Sequence, residues 1–310
     1  TRNAKGEVEI GGVGVSAIKE QFGTPTFVID EDDFRSRARL FRETFERAFA
    51  PLAGVEMSYA SKAFLSIAVA RWVREEGLGL DVCSGGELAI ALRAGSDASR
   101  LTFHGNNKSD AELSLAIEAG VGRLVIDSLE EIERVSNIAA KHGTRQRVLL
   151  RVTSGVEAHT HEFISTAHED QKFGISIATG EALEAIRRVE AEEALTLDGL
   201  HSHIGSQIFD TNGFEVAARR VLALAKEGQG AIDRPLSHII LGGGFGVMYT
   251  TQNTPRTAEQ LATQLAAIVE NSCRALDLEV PRLGFEPGRA IAGPSTQTLY
   301  TVGTIKDVEL

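Results

Sequence analysis

Eight short apolar runs, separated by amphipathic helical stretches, predict an α/β chain of the (β/α)8 TIM-barrel class. The runs lie near 55–62, 78–85, 101–106, 123–128, 147–153, 197–205, 238–245 and 283–289. The starts of the first five are 22–24 residues apart, and the wider later spacings imply inserted loops. A doubly wound open sheet would show the same alternation, but a count of eight favours closure.

The first run, Val55–Lys62, is strand-like and ends on an amine. The stretch Leu65–Val73 that follows is amphipathic. Gly77 and Gly120 stand where helices should close before the next strand. The segment Ser154–Gly174 has three histidines and no clear period, and its length suggests a functional loop. Residues 31–295 are thus the expected barrel. Residues 1–30 hold a Val8–Ile10 run, a helix-like Ser16–Phe22 and a strand at Phe27–Asp30. Residues 296–310 alternate as a strand over Thr298–Ile305. Both end segments are expected to contribute to a second, mostly absent β-rich domain, with 296–310 its first strand.

Bulk composition narrows the function. The 310 residues are 43% hydrophobic, enough for a sizeable core. A net charge of -11 argues against nucleic acid or anionic membrane as partner. No apolar run approaches the roughly 20 residues of a membrane helix. The N-terminus lacks a signal-peptide pattern. Two cysteines, Cys83 and Cys273, make no disulfide framework, so the cytoplasm is the expected compartment.

Barrel enzymes place their chemistry at the C-terminal ends of the strands. Those ends carry Lys62, Asp81 with Ser84, His104 with Asn106 and Asn107, Asp127, Arg151, His203 with Ser206, Gly242–Gly244, and Glu286 with Arg289. So many polar ends favour an enzyme over a binding module. Lys62 can serve as a Schiff-base nucleophile. The glycine triplet, Gly243 and Gly244 included, offers backbone N–H groups to a phosphate, or is simply a flexible turn. Gly288 and Ser206 are further donors. His201 and His203, two apart, can form a metal pair with His159, His161, Glu162 or His168, or be structural histidines; His203 can also stack on a flat cofactor ring. The metal reading leaves Lys62 and the glycines unexplained, and no metal is expected. Glu286 is either a partner of Arg289 or a carboxylate facing a protonated pyridine nitrogen. An aldehyde-trapping lysine, a stacking histidine, a ring carboxylate and a glycine cradle converge on pyridoxal 5'-phosphate.

With these residues in hand, the chain resembles the alanine-racemase-like barrel class of pyridoxal-phosphate enzymes, and within it the actinobacterial diaminopimelate decarboxylases. The resemblance rests on Phe22-Gly23-Thr24-Pro25, Tyr59-Ala60-Ser61-Lys62-Ala63, Leu80–Glu87, His104-Gly105-Asn106-Asn107-Lys108, Glu157–Glu162, Lys172-Phe173-Gly174, His203-Ile204-Gly205-Ser206, the glycine triplet and Glu286-Pro287-Gly288-Arg289. It implies that Lys62 carries the cofactor, His203 stacks on its ring and Glu286 binds its nitrogen. It gives the phosphate to Gly244, Ser206 and the backbone of Gly288 and Arg289, and a substrate carboxylate to the Arg289 side chain. Asp81 and Arg151 become polar support around lysine and ring, or else a structural ion pair or caps. The implied reaction is decarboxylation of meso-2,6-diaminopimelate to L-lysine. A decarboxylase of another basic amino acid, of the ornithine or arginine type, and a non-catalytic pyridoxal-phosphate carrier are the alternatives. The family also implies a homodimer with shared sites. It implies that the second domain is a β-sandwich carrying a Cys-Glu-Ser proton donor, and neither Cys83 nor Cys273 stands in such a segment. The chain alone is therefore expected to turn over weakly or not at all.

Overall fold

The computed structural model describes residues 1–156 and 172–308. Eight parallel strands close on themselves: β1 (Val55–Ala60), β2 (Gly79–Val82), β3 (Leu101–Phe103), β4 (Arg123–Ile126), β5 (Gln146–Thr153), β6 (Leu195–His201), β7 (His238–Ile240) and β8 (Arg282–Phe285). Closure is made by β8 on β1, with Leu283 opposite Val55 and Phe285 opposite Met57. The predicted barrel is therefore observed, and the open-sheet alternative is not.

The strands stop earlier than the apolar runs suggest. β6 ends at His201, β7 at Ile240 and β8 at Phe285. Positive φ at Gly205 (133°), Gly242 (72°) and Gly244 (92°) turns the chain out of the ladder. His203, Ser206 and Glu286 thus sit in loops above the sheet and Arg289 opens a short helix, whereas Asp81 and Arg151 lie within β2 and β5. Ser84 is one correction: it caps the helix Gly85–Arg93, its hydroxyl accepting from the Glu87 N–H.

The outward side chains of the strands pack on helices. Helix Glu31–Phe49 buries Phe34, Ala38, Phe41, Phe45 and Phe49 at three- and four-residue spacing. Phe45 meets Phe285 of β8 at 5.0 Å between ring centroids, and Phe41 stacks on Phe245 at 5.8 Å. The helix after β8, Arg289–Ala292, has only four residues. Helix Glu31–Phe49 packs against Ala258–Ala275 and fills the place left in the outer ring.

Inside, three layers follow one another. At the bottom, Arg123 of β4 donates across the barrel to Asp198 of β6 (2.9 Å) and Glu56 of β1 (3.0 Å). Val125, Leu149 and Ile240 form an apolar middle layer separate from the main core. Above it lie Asp81, His104, Asp127, Arg151, His201 and Glu286, all buried.

Outside the barrel, Thr26–Ile29 pairs antiparallel with Thr296–Leu299. The strand-like tail is thus a strand only to Leu299, and 300–308 has no regular structure. Cys83 and Cys273 are free thiols. Residues 157–171, which include Glu157, His159, His161, Glu162 and His168, lie outside the described residues.

Candidate active site

Lys62 lies in a single 3-10 turn, Ser61–Ala63, immediately after β1. The turn is held on both sides. Ser61 Oγ donates to Glu87 Oε2 (2.8 Å), which also accepts from the Cys83 N–H (2.6 Å). Tyr59 donates its hydroxyl to the Phe64 carbonyl (2.8 Å), and the Ala60 N–H reaches Pro287 O (3.3 Å). The loops after β1, β2 and β8 are thereby tied together around the amine.

Lys62 opens on a cavity of about 770 Å³ at the C-terminal end of the barrel. His203, Ser206, Gly244, Glu286, Gly288 and Arg289 share its wall, with Phe27, Phe64 and Tyr249 at the rim. The structure so brings together seven of the residues singled out in the sequence. Asp81, Arg151 and Gly243 are not on that wall. Asp81 and Arg151 are buried in the layer beneath it.

The glycines are required by the packing of the loops on one another. A Cβ on Gly243 would lie 2.1 Å from the Glu286 carbonyl oxygen, and one on Gly244 would lie 2.1 Å from that of Gly205. A Cβ on Gly288 would meet Ala60 O at 2.9 Å. Bare backbone therefore lets the loops after β6, β7 and β8 converge, and Gly244 and Gly288 then face the cavity.

Glu286 has a different partner from the one its sequence neighbour suggests. Its Oε2 lies 3.2 Å from His201 Nε2 and its Oε1 3.6 Å from His104 Nε2. His104 Nε2 is also 3.7 Å from Asp81 Oδ1. Arg289 instead donates from Nε to Ser206 Oγ (3.2 Å) and from Nη1 to the Tyr249 hydroxyl (2.8 Å). Arg151 lies 3.9 Å from Asp127 Oδ1, with its guanidinium 4.4 Å from the centre of the Phe173 ring. Asp127 in turn accepts from the Gly174 N–H (3.1 Å).

Burial and neighbours push the two cavity-end carboxyls apart. Asp81 is raised well above the usual carboxylate range, by burial first and then by the charges of Glu286 and Glu56. Burial would also raise Glu286, but the facing imidazoles of His201 and His104 outweigh it and hold it low. Asp81 is then the protonated member and Glu286 the ionised one. His104 and His203 lie well below the ordinary imidazole value, chiefly through burial, with Lys62 and Arg151 adding to it. His203 Nδ1 accepts from the Gly243 N–H (3.3 Å). In the neutral ring this puts the proton on Nε2.

The metal pair weighed for His201 and His203 is not what the fold builds. Beyond the end of β6 His203 faces the cavity, whereas His201 points to Glu286. Among the described residues, His104, His201 and Glu286 do bring three donor atoms within 4.8 Å of one another. The His201–Glu286 hydrogen bond already occupies one pair of them. Sequence reasoning missed Tyr249, Glu87 and the His201–Glu286 contact. The last left two histidines in His201-Ser202-His203, which admit several readings, and Glu87 closes the Leu80–Glu87 segment; Tyr249 left no signal.

An amine, an imidazole, a carboxylate and a glycine-lined anion site around one cavity match a pyridoxal phosphate group. Residues 32–293 match the family model for the pyridoxal-dependent decarboxylases, described as their pyridoxal binding domain. The chain belongs to this family. This decarboxylase chain is 54% identical over 314 residues to the diaminopimelate decarboxylase of Mycobacterium tuberculosis strain H37Rv, covering 100% of this chain and 69% of that protein. Its fold is similar to the crystal structure of diaminopimelate decarboxylase from M. jannaschii in co-complex with L-lysine. There the TM-score is 0.88 at 30% identity, covering 98% of this chain and 70% of that one. Against the Helicobacter pylori enzyme complexed with L-lysine the TM-score is 0.82 at 28% identity, covering 92% and 68%.

Proposed function

We propose that this decarboxylase converts meso-2,6-diaminopimelate to L-lysine with pyridoxal 5'-phosphate as cofactor. The single observation that carries the reading is Glu286, hydrogen-bonded to His201, sharing one cavity with Lys62 and His203. The similarity to diaminopimelate decarboxylases supports the choice of substrate.

The residues present fit the cofactor. Lys62 would hold its aldehyde carbon, His203 would lie against its ring and Glu286 would face its ring nitrogen. Ser206, Gly244 and the backbone of Gly288 and Arg289 would take its phosphate. Bound there, the pyridinium ring withdraws electrons from the substrate α-carbon. Glu286 keeps the ring nitrogen protonated by offering it a negative charge. The proton on His203 Nε2 is held in place because Nδ1 accepts from Gly243. The bond from the α-carbon to one carboxylate breaks, carbon dioxide leaves, and a proton returns to the same carbon. Arg289, steadied by Ser206 and Tyr249, presents a cation to a substrate carboxylate. Asp81 stays protonated beneath, so that only one negative carboxyl faces the ring. Arg151 adds positive charge from the same layer.

Residues 31–295 act as the barrel domain in this reading. Segments 1–30 and 296–310 belong to a second β-rich unit, a division supported by the Thr26–Ile29 and Thr296–Leu299 pair outside the barrel ladder. A homodimer with shared sites is supported by the exposed apolar side chains of Phe27, Phe64 and Tyr249 at the cavity. Among the described residues no helix is long and apolar enough to cross a membrane, and we place the protein in the cytoplasm.

Carbon dioxide release tests the function. The full-length protein, supplied with pyridoxal 5'-phosphate, is offered meso-diaminopimelate, L-ornithine and L-arginine in turn. Release from diaminopimelate alone is expected. Release from ornithine or arginine with none from diaminopimelate would overturn the assignment.

A further inference from the structure

Glu286 reaches the cavity from a buried layer, and what stands behind it has no place in the roles above. Its Oε1 and Oε2 lie 3.1 and 3.2 Å from His201 Nε2. His201 is 1% exposed, in the last position of β6, where the ladder still fixes its backbone against Arg151 and Ile240. Its other nitrogen, Nδ1, is buried without a hydrogen-bond partner. An unpaired buried N–H is costlier than an unpaired lone pair. The proton of the ring therefore belongs on Nε2, where it meets the carboxylate. His104 packs edge-on against His201, with ring centroids 5.0 Å apart at 68°, and blocks rotation of the ring on that side. Glu286 Oε1 is buried without a hydrogen-bond partner, 3.6 Å from His104 Nε2, so His201 is the side chain that anchors this carboxylate.

We propose that His201 is the positioning residue of Glu286, its Nε2–H fixing the direction of the carboxylate at the cavity wall. His104 is the wedge that keeps the His201 ring in that plane. The inference rests on the reading of Glu286 as the partner of the cofactor nitrogen. It adds the reason this carboxylate points at the ring rather than at Arg289, three residues away. In that arrangement His201 never touches substrate or cofactor. Its loss should lower turnover and cofactor affinity together while leaving substrate recognition intact.

Three variants of the full-length, cofactor-loaded enzyme separate the possibilities: Glu286→Gln, His201→Phe and His201→Gln. Glutamine returns an N–H donor near the Nε2 position, whereas phenylalanine keeps the ring volume and removes the donor. His201→Phe is expected to lose on the order of 10-fold or more in kcat with KM for substrate unchanged, the size of one hydrogen bond to a charge. It should also weaken pyridoxal 5'-phosphate binding and shift the visible absorbance of the bound cofactor. His201→Gln is expected to restore most of all three. Nitrogen NMR of the histidine side chains in the wild-type protein should show His201 protonated at Nε2. Equal damage from Phe and Gln, or a wild-type spectrum in His201→Phe, would overturn the positioning role. If Glu286→Gln is itself harmless, the reading of Glu286 fails instead, and the two failures are told apart.

Discussion

At the scale of single residues, the site works because neighbouring groups of one chemical type are held in different states. Asp81 and Glu286 are both buried carboxyls, yet the imidazoles of His201 and His104 hold Glu286 low, while burial and then the charges of Glu286 and Glu56 raise Asp81. The result is one negative charge at the cavity instead of two. Glu286→Gln should keep the fold and retain cofactor but lower decarboxylation by roughly 10²–10³-fold, the range for removing one preorganised charge partner. Steady-state kinetics of the full-length variant beside wild type decides it, and a near wild-type rate would refute the role. Lys62 is the other decisive side chain. Lys62→Ala removes the amine without disturbing the buried layer, because Lys62 is itself exposed to the cavity. The variant should lose the borohydride-sensitive visible absorbance given by added pyridoxal 5'-phosphate, while its circular dichroism stays that of wild type.

At the scale of elements, the loops after β6, β7 and β8 act as one packed unit. Glycine at 243 and 244 is demanded by carbonyl oxygens of neighbouring loops. The triplet therefore reads as a phosphate cradle in sequence and as a three-loop junction in structure, and both follow from the missing Cβ atoms. Gly243→Ala should push the β7 loop off Glu286 and destabilise the protein by about 1–3 kcal/mol, the usual cost of overpacking. Urea unfolding measures that loss, and cofactor titration should show weaker binding in the same variant. An alanine variant with unchanged midpoint and unchanged affinity would mean the junction tolerates a shift of the loop. The element order carries a second lesson. Since only four helical residues follow β8, the ring is completed from the other end, by Glu31–Phe49 and its row of phenylalanines. The periodicity marks that helix as amphipathic, but which neighbour it covers depends on closure of the sheet.

For the whole molecule, buried neutral histidines set the response to acid. The folded values of His104 and His203 lie well below 6.5, and His238 is lowered to about 4, each chiefly by burial. The unfolded chain therefore takes up protons that the folded chain refuses as pH falls. Stability from these groups is fully present above about pH 6.5 and declines below it, by up to roughly 1.4 kcal/mol per pH unit for each fully buried histidine. Asp81 acts in the opposite sense, because its folded value is raised. Its contribution is complete below the ordinary carboxylate value and is lost as pH rises through the folded value. Urea midpoints measured from pH 7.5 to 5 should decline, and His104→Asn should flatten that decline. A profile that His104→Asn leaves unchanged would show that this ring does not set the decline.

The barrel was legible in the residues alone because apolar runs, helical periodicity and closing glycines are local properties. Lys62, His203 and Glu286 were legible for a related reason, since chemistry in this architecture collects where strands end. The partners of those groups were not. Glu286 stands three residues from Arg289 yet bonds to His201, 85 positions earlier. Arg151 faces Asp127, and Asp81 stays beneath the cavity wall. Barrel closure is what makes β2, β3, β6 and β8 meet in one buried layer, and burial there fixes which carboxyl is charged. Chain distance carries no information about either. The residues thus specify the scaffold and the reacting groups, while folding specifies their charge states and directions.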